Sequence, residues 1–164
     1  MASRWLQNLT TTHFALRRCF PAATLSAIDA AIAASERGHR AEIRCAIETA
    51  LSLGELARDT GSPARAASVF AALRVWDTAE NNGVLVYVLL AERHIEIVAD
   101  RGFTGRVAPA EWEAVCQEME REFRASRYEQ GTLAALDRIS ELARRHFPAS
   151  GENRNELPDR TILL

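Results

Sequence analysis

The stretch LRVWDTAENNGVLVYVLLAERHIEIVADRG, residues 73–102, carries the reading on which the fold turns. From Val84 to Leu90 every side chain is apolar and Val84, Val86 and Val88 are β-branched, the pattern of a central strand covered on both faces. Ala91 to His94 makes a tight connection, after which Ile95, Ile97 and Ala99 alternate along a further strand, so the two runs form a hairpin. Ahead of them lies a polar loop, Asp77-Thr78-Ala79-Glu80-Asn81-Asn82-Gly83, with Asn-Asn-Gly suited to a turn.

Upstream, Ser62-Pro63 starts a helix, a capping hydroxyl followed by proline at the first helical position, and Val69, Phe70 and Leu73 give it a buried stripe. Residues 41–49 (AEIRCAIET) alternate, which predicts a strand with one face better buried than the other. Thr24 is placed to N-cap a helix over about 25–37, built on Leu25, Ile28 and Ile32 and ended by Gly38. Residues 1–23 are a lead segment of irregular chain or short helix. Downstream, Pro109 opens a long helix with Trp112, Val115, Cys116, Met119 and Phe123 on one face. A last helix over about 131–147 uses Leu133, Leu136, Ile139, Ala143 and Phe147, and Pro148 stops it.

Residues 24–148 thus form one domain, and 149–164 a polar tail that either docks or stays loose. The order is α-β-α-β-β-α-α. Its first strand, helix and second strand make a crossover unit, expected to be right-handed with parallel strands. Helices then cover both faces of a central mixed sheet, an α/β fold built as a three-layer α/β/α sandwich.

A net charge of −2 and arginines interleaved with acids exclude a dedicated nucleic-acid binder, whose basic residues cluster. All 20 basic residues are arginine, which together with abundant alanine points to codon bias. Cys19, Cys45 and Cys116 are odd in number and lack metal spacing, so they read as free thiols of a reducing, cytoplasmic protein. The longest apolar run, Val84 to Ala91, is far shorter than the roughly 20 residues a spanning helix needs, and the N-terminus has no secretory h-region, so no membrane insertion is expected. No organic cofactor motif is present: there is no P-loop, G-x-G-x-x-G or G-x-S-x-G. Ser35, Glu36 and His39 gather at a helix end, where a histidine suits the dipole.

The topology brings polar residues together. In a parallel crossover both strand starts lie at one end of the sheet, and the returning third strand finishes there. His39, Glu42, the loop from Asp77 to Asn82, and Asp100-Arg101 therefore share one edge, with Glu42, Asp77, Glu80 and Asp100 as its carboxylates. Crowded carboxylates need a proton, an arginine or a cation, and oxygen-only ligands favour Ca²⁺ or Mg²⁺. Plain turn chemistry and pairing with arginine are the competing reading.

Several stretches together resemble the TPM-domain family, which includes thylakoid phosphatase-like and photosystem-repair proteins. They are AEIRCAIE at 41–48, LRVWDTAENNGVLVYVLL at 73–90, HIEIVADRG at 94–102, and Trp112 with MEREF at 119–123. HFP at 146–148 and NELPD at 155–159 are similar to a short, unanchored bacterial branch. The resemblance spans about residues 25–159. It implies an α/β/α sandwich and a divalent cation near the loops at one sheet end, where weak phosphatase activity is ascribed to some members. By position, the family's entry to the central strand falls on Asn81, Asn82 and Gly83, and its later acid on Asp100. Asn81 stands where many relatives carry aspartate, one ligand charge fewer. The metal set is thus Asp77, Asn81, Asn82 and Asp100, with Glu42, Glu80, Arg101 and His39 behind it. Two functions follow: a cation-binding or accessory module with a protein partner, or a metal-assisted phosphomonoester hydrolase.

Overall fold

A computed structural model, describing residues 4–150 and 155–164, shows one four-stranded sheet. Its strands are β1 (Glu42–Glu48), β2 (Gly83–Leu89), β3 (His94–Ala99) and β4 (Ile162–Leu163), ordered β3-β2-β1-β4. β1 runs parallel to β2 and to β4, and β3 returns antiparallel to β2 with Val84 opposite Ala99. Two short helices, α1 (Arg4–Thr10) and α2 (His13–Cys19), make up the lead segment from residue 4 onward. The others are α3 (Ala22–Ser35), α4 (Leu53–Ala57), α5 (Ser62–Ala72), α6 (Pro109–Arg124) and α7 (Tyr128–His146), with a 3-10 turn over Arg101–Phe103. The first three residues and residues 151–154 of the tail lie outside the described residues.

The sheet separates two apolar cores, which makes the sandwich three-layered. Ile43, Cys45 and Ile47 of β1 and Val84, Val86 and Val88 of β2 pack with α3, α6 and α7. Leu85, Tyr87 and Leu89 face the other way, against Leu56 of α4 and Val69 of α5. This is the period of two expected of strands, with β2 buried throughout as its apolar run requires.

Several expectations need correcting. β1 is buried along its whole length, not on one face better than the other. The reason is pairing: the three charged side chains on the α5 side of the sheet all find polar partners. Glu48 takes a two-pronged bond from Arg65 and accepts a hydrogen bond from the Tyr87 hydroxyl, Arg44 donates to the Pro158 carbonyl, and Glu42 accepts from the Leu157 N–H at 3.0 Å. α3 begins at Ala22 with Pro21 at its cap, and the Thr24 hydroxyl instead donates to Glu129. At α5 the cap is Gly61, leaving Ser62 to bond Glu96. α4 was not expected; Ser52 and Glu55 cap it reciprocally. Ile97 and Trp112 are half-buried because β3 is an edge strand. The described end of the tail docks, since Leu164 N–H donates to Ile47 and β4 extends the sheet.

Candidate functional site

The end of the sheet where β1 and β2 begin and β3 finishes is shaped by two glycines. Gly83 lies beside Glu42 on one strand, and the Asp100 N–H donates to its carbonyl at 2.8 Å from the other side. Glu42, Gly83 and Asp100 therefore form a row across three strands, on the α5 face by the pleat. Having no side chain, Gly83 leaves the middle of that row open and the Val75 carbonyl fills it; a Cβ there would lie 1.9 Å from that oxygen. Gly102 does the same for the loop. Its N–H donates to the Asn81 carbonyl at 2.8 Å, and an added Cβ would meet that oxygen at 2.5 Å.

Asn81 adopts φ 53, the left-handed conformation that asparagine tolerates, and its Oδ1 accepts from Arg101 Nε at 2.8 Å. Asn82 is buried; its N–H bonds the Thr78 hydroxyl at 3.0 Å and its amide nitrogen donates to the Arg40 carbonyl at 2.7 Å. Asp100 caps the 3-10 turn through Oδ1, which accepts the Arg101 N–H at 2.7 Å. Two oxygens are left over: Asn82 Oδ1 and Asp100 Oδ2 are both buried without a hydrogen-bond partner. An unpartnered buried oxygen is costly, so each marks a place where something else is wanted.

The other sequence candidates are drawn elsewhere. Asp77 is exposed and pairs with Arg74 at 2.7 Å, and Glu80 pairs with Arg40 at 3.2 Å. Glu42 is turned to the tail. Burial is the chief cause lifting its carboxyl above the usual range, with the Leu157 N–H pulling the other way. His39 is buried with Nδ1 3.0 Å from the Ala41 carbonyl, and burial lowers it to about 4, so it is neutral near pH 7. Asn81, Asp100 and Arg101 come together, Asn82 adjoins them along the chain, and the four carboxylates do not converge. Among the described residues no group of three His, Cys, Asp or Glu side chains could hold a metal. The donors that remain, one carboxylate oxygen beside backbone and amide oxygens, suit a hard cation in kind. Val75 was not read from the sequence, although the paired NNG and DRG glycines flanking the hairpin were the signal for the close approach.

Such a molecule is an α/β/α sandwich with a polar, oxygen-rich end between its hairpin and the loop leading into it. The model of the TPM domain matches residues 17–142, and the chain belongs to that family. Among solved structures it is similar to the NMR structure of the BA42 protein from the psychrophilic bacterium Bizionia argentinensis, with a TM-score of 0.78 and 24% identity over 88% of this chain and 95% of that one. That likeness concerns the fold. None of the curated proteins compared with the chain matches it. Among the described residues no helix is long and apolar enough to cross a membrane.

Proposed function

We propose that this TPM domain is a binding module that takes a divalent cation of the Ca²⁺ or Mg²⁺ class at the hairpin end, presents that end to a protein partner, and performs no hydrolysis of its own. One observation carries the reading: Asp100 Oδ2 is a buried carboxylate oxygen with no hydrogen-bond partner. Asp100 would supply the charged ligand, with Asn82 Oδ1 and the carbonyls of the Asn81 loop as neutral donors. A bound cation would neutralise Asp100 and pin the loop to the hairpin. Binding is favoured over phosphate hydrolysis because Arg101 is engaged with Asn81 and the buried His39 is a weak base. The free thiols Cys19, Cys45 and Cys116 suit a reducing cytoplasm.

Thermal melts with calorimetric titration test this. Millimolar Ca²⁺ or Mg²⁺ should raise the wild-type melting temperature with concentration, following RT ln(1 + [L]/Kd), and Asp100→Asn should lose that rise while staying folded. A wild-type melt unmoved by either ion would end the proposal. Phosphomonoester turnover that survives purification and disappears in Asp100→Asn would replace it with the hydrolase reading.

A further inference from the structure

The two edges of the sheet are treated differently. On the β1 side the tail adds β4, whereas among the described residues β3 carries no further strand. In an antiparallel ladder only alternate residues point their backbone groups at the partner. The Asp100 bond to Gly83 and the register that follows assign His94, Glu96 and Val98 to β2. Ile95, Ile97 and Ala99 therefore turn their N–H and C=O groups outward. The Ile97 N–H meets the Cys116 thiol; no protein backbone pairs with this edge among the described residues. Residues 96–99 are half-buried where every residue of β2 is buried, so the edge is open.

A groove of about 510 Å³ runs along that edge between β3 and α6. Its floor is apolar: Ile97, Trp112 and Cys116 are half-buried and pack on the core from one side only. Burial lifts the Cys116 thiol to about 12, so it is present as a neutral apolar group. The charged residues lining the groove are all acidic, namely Glu96, Glu113 and Glu120. Glu113 is exposed and accepts from the neutral Gln117 amide; Glu120 meets Arg124 at a loose 3.6 Å. A second copy pairing β3 to β3 would bring both sets of carboxylates together, and like charges facing each other oppose association.

We infer that β3 is a docking edge for an extended, basic peptide segment of another protein, which adds a fifth strand there. Its backbone pairs with Ile95, Ala99 and the Ile97 carbonyl, alternate aliphatic side chains enter the groove over Trp112, and its cationic residues meet Glu113 and Glu120. Strand addition of this kind draws affinity from main-chain bonds and specificity from the side-chain pockets. The inference is independent of the cation site, since Asp100 takes no part in it.

The probe is an N-acetylated, C-amidated peptide of alternating arginine and valine, titrated into the ¹⁵N-labelled full chain and followed by amide shifts. The amides of Ile95 and Ala99 should move with saturation. Glu113→Arg with Glu120→Arg should weaken binding by about tenfold or more, because attraction on the rim becomes repulsion. Should that pair fail to fold, Glu113→Gln with Glu120→Gln serves, with a smaller loss expected. N-methylation of alternate peptide residues, which removes backbone donors and keeps the charge, should abolish binding. Absence of shifts in β3, equal binding of a glutamate–valine peptide, retained binding of the N-methylated peptide, or self-association through β3 would each overturn the inference.

Discussion

Glu36 follows α3 with its carboxyl buried and Oε1 accepting the Ile43 N–H at 3.2 Å. Burial, then the charge of Glu42, raises it from 4.5 to about 8, the Ile43 N–H working against them and Asp159 adding to the rise. The folded chain therefore keeps a proton that the unfolded chain has released. That stability is full below about 4.5 and is lost as pH rises through about 8. His39 has the opposite sense: lowered from 6.5 to about 4, it costs stability as pH falls through that window. In urea unfolding, wild type should lose stability relative to Glu36→Gln between about pH 5 and about pH 8. Parallel pH curves for the two proteins would show that Glu36 is already ionised in the fold. At this scale the apolar positions of β1 were readable from alternation and those of β2 from its unbroken apolar run. The burial of Glu42 was not, because its partner Leu157 stands 115 positions away.

The tail is the element that sequence reasoning left open. Only two residue pairs join β4 to β1, Ala46 with Ile162 and Ile47 with Leu163, too few to predict from propensity. Leu157 and Ile162 pack against the apolar core on the α5 side, and polar groups add to the hold. Asp29 accepts from both the N–H and the hydroxyl of Thr161 at 2.7 Å, Glu156 accepts from the Ala79 N–H at 3.0 Å, and Glu42 and Arg44 bond the segment between. Deleting residues 155–164 would leave Glu42 and Arg44 without partners and uncover the β1 edge. Leaving a buried polar group unsatisfied costs about 1–3 kcal/mol and more for a charged one, and open edges invite pairing between chains. The truncated protein should melt lower and self-associate, as read by thermal melts and sedimentation. A truncated chain that stays monomeric with an unchanged melt would show the tail to be dispensable. The hairpin and the long helices, by contrast, were visible because their periods repeat over enough residues to stand out.

For the molecule as a whole, charge argues against nucleic acid. Arg4, Arg65, Arg74, Arg127 and Arg138 are each bound to a carboxylate within 3.0 Å, so they are already neutralised locally. Specific binding of duplex DNA or RNA at physiological salt should be absent in fluorescence anisotropy, since the net charge is −2 and the arginines are interleaved with acids along the sequence. Submicromolar binding there would contradict this. The layered architecture followed from the order of elements, whereas the polar end did not resolve into four converging carboxylates. Spacing along a chain places residues at one end of a sheet without saying which arginine each will meet. The tail's distant docking also gives assembly a direction. β2 and β3 are neighbours in the chain and β1 reaches β2 across two helices and a loop, but β4 must search from more than a hundred residues away. Contacts so remote in sequence form slowly, and this one must also strip water from Glu42 and Arg44. On that ground β4 is expected to join the sheet after the hairpin has formed and to be among the first elements to leave it.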